Sequence, residues 1–105
     1  MHVDLPPPLS QYFADGERTA SAPLFSENAV VLDEGHVHRG RAEIAAWLES
    51  VEMRYRPRYE LIDASRDGER TVVTFKVSGT FPGSPLTLRQ ALVTDKGEIH
   101  SLETL

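Results

Sequence analysis

An apolar run that ends in an acid constrains this chain more than any other feature. The run begins at Ala29 and is rich in β-branched side chains, which predicts a short strand from Ala29 to Asp33. An acid placed directly after such a run often faces into a pocket. Because a carboxylate in an apolar cavity can act as a base near neutral pH, Asp33 is a candidate catalytic residue.

Asp33 also has two structural explanations. Its carboxylate could cap a turn with Gly35, or it could form an ion pair with Arg39 or Arg41. Either arrangement would make Asp33 a structural acid at the end of a strand, and would remove the main reason to assign it chemistry.

The clearest helix is predicted after this strand, from Arg41 to Arg54, and Pro57 ends it. Its apolar residues recur at i, i+3, i+4 and i+7 and form one stripe: Ile44, Trp47, Leu48 and Val51. We expect this stripe to pack against the concave face of a sheet. Two shorter helices are predicted nearer the N-terminus, Leu9 to Ala14 and Glu17 to Phe25, separated by Asp15-Gly16.

Four further strands are predicted in the second half of the chain. Short turns join the last three strands, which predicts an antiparallel meander. The predicted strands are Arg58 to Ser65, Arg70 to Phe81, Leu86 to Thr94 and Glu98 to Leu105. Helices followed by a sheet that they cover indicate an α+β fold. A chain of 105 residues has the size of a single domain, so we expect one domain over residues 1–105.

The composition excludes several classes of function. The formal net charge is −5 with acids and bases interleaved, which argues against a nucleic-acid partner and an anionic membrane surface. The absence of cysteine excludes thiolate metal sites and a cysteine nucleophile, and it is compatible with the cytoplasm, where we expect the protein to be. No apolar run is long enough for a membrane span, and the N-terminus is not of the secretory-signal type.

Three motifs resemble the nuclear transport factor 2-like superfamily, and within it the SnoaL-like proteins related to polyketide cyclases. They are the Leu24-Phe25-x-x-x-Ala29-Val30 entry to the first strand, the Gly40-Arg41-Ala42-x-Ile44 opening of the long helix, and the hairpin Asp95-Lys96-Gly97-Glu98-Ile99. The resemblance implies a cone: a strongly bent antiparallel sheet around an apolar cavity, covered by N-terminal helices and one long helix, as in cystatin-like folds. It also implies a homodimer through the outer sheet face, and no cofactor.

Ketosteroid isomerase is the comparison within this superfamily that bears on chemistry. Its general base corresponds to Asp33, and its oxyanion-hole tyrosine resembles Tyr12, which could instead be an amphipathic core residue. Its second oxyanion donor, a carboxylic acid, falls on Arg89 or Gln90, so the full isomerase set is absent. We favour Gln90 for the inward face, because Leu86, Leu88 and Leu92 share its parity.

Other residues are predicted to form the wall of the cavity. Trp47 is core or cavity wall, Tyr59 lies near the opening of the cone, and His38 is placed at the pocket mouth. His36 and His38 alternate, but this spacing is a weak metal signal and no metal site is predicted. Phe75 and Leu88 are inward positions on the predicted strands.

Two functions of different classes follow. The first is a small-molecule-binding domain, with cofactor-free acid–base chemistry of the isomerase, cyclase, dehydratase or epoxide hydrolase type on a small, mostly apolar, oxygenated ligand. Asp33 would be the base, and Tyr12 and Gln90 would polarise a ligand oxygen. The alternative is a non-catalytic dimerisation or interaction module whose cavity is packed shut by Phe75, Trp47 and Leu88.

Overall fold

A computed structural model of the chain describes residues 5–14 and 18–105. It has an α+β architecture, as the sequence predicts, in which one long helix and short N-terminal helical segments cover a curved sheet. The sheet has six strands, one more than predicted. In chain order the elements are α1 (Leu9–Tyr12), a 3-10 helix (Arg18–Leu24), β1 (Phe25–Asp33), β2 (His36–Arg39), α2 (Gly40–Tyr55), β3 (Arg58–Asp67), β4 (Arg70–Ser78), β5 (Leu86–Asp95) and β6 (Glu98–Thr104).

The strands lie in the order β2-β1-β6-β5-β4-β3. The antiparallel meander is confirmed and extends over β3 to β6. β1 joins the sheet by pairing parallel to β6, with Val31 opposite Leu102, and both side chains are buried. The first strand and the last strand therefore meet in the middle of the sheet, and Asp33 at the end of β1 comes close to the end of β6.

The N-terminal helical prediction needs two corrections. The second segment is a 3-10 helix that ends at Leu24, and β1 begins at Phe25 rather than at Ala29. Pro23 in this segment lacks a backbone N–H, which favours a short, tight helix. Phe25 is fully buried with its ring against that of Tyr12, so tertiary packing places it on the sheet. The predicted break at 15–16 and the predicted helix start at residue 17 lie outside the described residues.

The sequence analysis treated residues 36–39 as a loop, but they form β2 and pair antiparallel with β1. Glu34 and Gly35 make the two-residue connection, and both have positive φ angles, 51° and 79°. Such a turn suits the twist of a hairpin. The strand was missed because it has only four residues, three of them charged or titratable.

Helix α2 is confirmed and is one residue longer at each end than predicted. Its apolar stripe divides into two pairs. Ile44 and Leu48 are buried in the core, whereas Trp47 and Val51 are half-buried. The helix packs on β1, β2 and the 3-10 helix. Ile44 and Leu48 therefore lie in the core as expected, whereas Trp47 contacts the sheet through Asp33 of β1 and His38 of β2.

The end of α2 is tied to the segment that follows β4. The Thr80 backbone N–H donates to the Tyr55 carbonyl at 2.8 Å, and the Thr80 hydroxyl donates to the Arg54 carbonyl at 3.1 Å. A Cβ on Gly79 would overlap the Tyr55 carbonyl oxygen, so the approach requires glycine. The chain leaves the sheet here, which is why β4 ends at Ser78 and not at Phe81.

No helix in the described residues is long and apolar enough to cross a membrane.

Candidate functional site

A pocket of about 380 Å³ opens between the C-terminal half of α2 and the inner face of β4 and β5. Its volume falls within the range of small-molecule sites, about 300–1,000 Å³. Seven of the eight residues that the sequence analysis selected line this pocket: Tyr12, Asp33, Trp47, Tyr59, Phe75, Leu88 and Gln90. Phe75, Trp47 and Leu88 surround the space and do not fill it.

Asp33 is the last residue of β1, and its half-buried side chain lies at the pocket wall. The Trp47 indole Nε1–H donates to Asp33 Oδ2 at 3.2 Å. Within the described residues Asp33 forms no ion pair, because Arg41 instead contacts Glu98 at 2.9 Å and Glu27 at 3.9 Å. The ion-pair alternative is therefore wrong, and one carboxylate oxygen, Oδ1, is left for another partner.

Trp47 separates two surfaces. One side of the residue faces the pocket, and its indole stacks on the His38 imidazole with ring centroids 5.7 Å apart and an interplanar angle of 28°. His38 does not line the pocket but a second depression, together with Glu43 and Arg54. Asp33, Glu34 and Trp47 line both spaces, so the position of His38 at the pocket mouth stays a prediction.

Gln90 faces inward and Arg89 faces outward, as parity predicted. The Gln90 side chain is 6% exposed, and its Nε2 donates to Thr104 Oγ1 at 3.2 Å. Gln90 Oε1 is buried and has no hydrogen-bond partner among the described residues. A buried unpaired acceptor costs about 1–3 kcal/mol.

The aromatic side chains belong both to the core and to the pocket wall. Tyr12, at the end of α1, is 1% exposed, and its ring meets that of Phe25 edge-on at 5.6 Å. Tyr59 meets Phe75 in the same way at 5.8 Å. These T-shaped contacts fix the rings in place. Tyr12 is therefore buried as the core alternative required, and it also lines the pocket.

The sequence analysis missed several residues of the pocket rim. Glu52 lies in the last turn of α2, Phe81 lies in the segment after β4, and Glu34 belongs to the β1–β2 turn. One sequence signal pointed to Glu52, since it lies four residues after the buried Leu48 and so on the same side of the helix. Tyr55 and Phe81 meet edge-on at 5.6 Å.

Metal ligands are not gathered at this site. Between residues 5–14 and 18–105, no group of three or more histidine, cysteine, aspartate or glutamate side chains could hold a metal ion. The polar groups of the pocket are carboxylates, tyrosine hydroxyls and one amide. This set can accept, donate and exchange protons, and it is the chemistry that a cofactor-free acid–base site needs.

Comparisons with known proteins agree with this architecture. A candidate polyketide cyclase from Sinorhizobium meliloti is 32% identical, covers 97% of this chain and 96% of its own, and superposes with a TM-score of 0.87. A candidate isomerase of the SnoaL-like family from Agrobacterium tumefaciens is 16% identical, with coverage of 91% and 87% and a TM-score of 0.70.

A protein with a ketosteroid isomerase-like fold from Catenulispora acidiphila, in complex with trimethylamine, is 19% identical, with coverage of 91% and 78% and a TM-score of 0.71. The comparison with curated proteins finds no match. The family model of the SnoaL-like domain matches residues 9–98, which include both α-helices and strands β1 to β5 and end at the first residue of β6. On this match and on the similarity to the Sinorhizobium meliloti protein, the chain belongs to the SnoaL-like family, with a nuclear transport factor 2-like fold.

Proposed function

We propose that the pocket binds a small, mostly apolar molecule and that Asp33 exchanges a proton with it without a cofactor. The observation that carries this proposal is the Trp47–Asp33 hydrogen bond at the pocket wall. It holds one carboxylate oxygen in a fixed position and leaves the other available. A general base must be held within reach of the proton it removes, and this arrangement meets that requirement.

The reaction class follows from the groups that share the pocket. Asp33 would remove a proton from a carbon next to a carbonyl, and the electrons would move to the carbonyl oxygen to give an enolate. Tyr12 lines the same pocket, and a tyrosine hydroxyl can donate a hydrogen bond to such an oxygen. Return of the proton to another carbon would complete an isomerisation, and attack of the enolate on a second carbonyl would complete a cyclisation.

The similarity to a candidate polyketide cyclase and a candidate isomerase supports this class. The open space inside Phe75, Trp47 and Leu88 supports ligand binding over a module with a closed cavity. A non-catalytic domain would need neither the space nor a carboxylate fixed at its wall.

The test is hydrogen–deuterium exchange at the carbons next to the carbonyl of 2-tetralone, a small aromatic ketone, followed by proton NMR in D₂O. We expect saturable acceleration by the protein, and a loss of about 10²-fold or more in Asp33→Asn, the usual contribution of a general base. Glu49→Gln is the matched control, because Glu49 is exposed on α2 and does not line the pocket. Exchange no faster than in buffer, or equal rates for Asp33→Asn and the wild type, would contradict the proposal.

A further inference from the structure

We infer that the ligand of this pocket is a cation: an amine, protonated on nitrogen, carried on an apolar body. The inference rests on the binding half of the proposed function and names its substrate class. Three properties of the pocket support it, namely the sign of its charges, the nature of its walls and the carboxylate oxygen of Asp33 that is left for another partner.

The charged side chains of the pocket are all acidic. Asp33, Glu34 and Glu52 line it, and no lysine, arginine or histidine is found among its described lining residues. Asp33 and Glu52 are half-buried, so water screens their charge less than that of a fully exposed carboxylate. An anionic ligand would meet only like charge here, whereas a cation would be attracted.

The basic groups near the pocket are directed elsewhere. Arg41 contacts Glu98 and Glu27, and its Nε donates to the Phe25 carbonyl. Arg54, His36 and His38 line the second depression, which Asp33 and Glu34 line as well. Among the described residues no basic group forms an ion pair with Asp33, Glu34 or Glu52, so a cationic ligand can be their partner.

The walls present aromatic rings to the same space. The faces of such rings attract cations, and this attraction increases when water is excluded. Six aromatic residues line the pocket: Tyr12, Trp47, Tyr55, Tyr59, Phe75 and Phe81. Rings together with carboxylates suit a cation on an apolar body better than a neutral hydrocarbon, which would gain from the rings alone.

Asp33 adds a demand for a hydrogen-bond donor. Its Oδ2 accepts from Trp47, and its Oδ1 is left for another partner at the pocket wall. An ionised carboxylate is an acceptor only. A protonated amine donates N–H bonds and carries positive charge, so it suits this oxygen better than a neutral alcohol, which would gain little from the carboxylates or the ring faces.

The experiment compares three ligands with one carbon skeleton by isothermal titration calorimetry: 2-aminotetralin, which is cationic at neutral pH, and the neutral 2-tetralol and 2-tetralone. We expect the amine to bind about tenfold or more tightly than the alcohol, from cation–π and carboxylate attraction. Raising the salt concentration should weaken the binding of the amine and leave the affinity for the alcohol unchanged.

Two variants test whether the preference for the amine over the alcohol arises in the pocket. Glu52→Gln should reduce the affinity for the amine severalfold and leave that for the alcohol unchanged, whereas Glu49→Gln, three residues earlier on the same helix and outside the pocket, should change neither.

Equal or tighter binding of the neutral ligands overturns the inference of a cation and leaves the proposed function standing. Failure of all three ligands to bind, with the protein folded, counts against ligand binding itself and so against both proposals. If the amine binds tightly but the protein does not accelerate hydrogen–deuterium exchange in 2-tetralone, the inference of a cationic ligand stands and the proposed acid–base chemistry is rejected.

Discussion

At the scale of single residues, the contact between Trp47 and Asp33 decides what the pocket can do. Both side chains are half-buried, so their hydrogen bond is partly screened by water and makes a modest contribution to stability. Its larger effect is positional. The indole N–H of α2 links the helix to the end of β1, and it holds the Asp33 carboxylate in a fixed position relative to both elements.

We expect a coupling free energy of about 1 kcal/mol between these two residues. Trp47→Phe keeps an aromatic ring in place and removes the N–H, while Asp33→Ala removes the acceptor. Urea unfolding of both single variants and the double variant gives the coupling. The same cycle with Glu49→Ala in place of Asp33→Ala should be additive, and additivity at Asp33 would show that the indole does not hold the carboxylate.

Sequence reasoning predicted many of the pocket residues that lie on regular elements, although it missed Glu52 of α2. The parity of β5 separated Gln90 from Arg89, and the apolar run of β1 pointed to Asp33. Phe81 was also missed, because it enters the pocket from an irregular segment that no periodicity describes. The stacking of His38 on Trp47 could not be predicted, because it depends on strand β2.

At the scale of elements, helix α2 carries much of the site. It contributes Trp47 near its middle and Glu52 and Tyr55 in its last turn. Arg56 follows in a left-handed conformation with φ of 44°, and its N–H donates to the Glu52 carbonyl. Glycine is favoured at such a position, because a side chain there crowds the backbone.

Arg56→Gly should therefore raise the free energy of unfolding by about 0.5–1 kcal/mol. Arg58→Gly is the matched control, since Arg58 is an exposed residue of β3, where glycine should lower stability by a similar amount. Both changes remove one positive charge, so comparing them isolates the backbone effect. Urea unfolding measures each, and a destabilised Arg56→Gly would show that the arginine side chain contributes at this turn.

The elements that were predicted well are those with long periodic patterns, α2 and β4 to β6. Their spacing alone determines which side is buried. The 3-10 helix and β2 are too short for a pattern to emerge. Phe25 was assigned to a helix because its burial against Tyr12 is a tertiary contact between separate segments.

At the scale of the whole molecule, the sheet has an inner face that forms the pocket and an outer face that is largely polar. Thr74 and Arg89 are opposite each other on the outer face, and Lys76 lies 3.7 Å from Glu60. The pairing of β1 with β6 joins segments from opposite ends of the chain, which no local pattern could predict.

We expect two copies of the chain to associate through this outer face about a two-fold axis, the commonest closed arrangement. Light scattering at micromolar concentration should report twice the chain mass of 11.7 kDa. Thr74→Arg, in the middle of the face, should shift the mass toward one chain because like charges would meet near the axis. A mass of one chain for the wild type across that range would disprove the dimer.

The link between Thr80 and the end of α2 has a consequence for how such a protein can change over evolutionary time. Main-chain carbonyls accept its hydrogen bonds, and the close approach needs only the missing side chain of Gly79. The side chains of Glu52 and Leu86, which also lie around the opening, take no part in these hydrogen bonds. Mutation can therefore exchange them one at a time and alter ligand preference, while the frame of the opening is inherited unchanged.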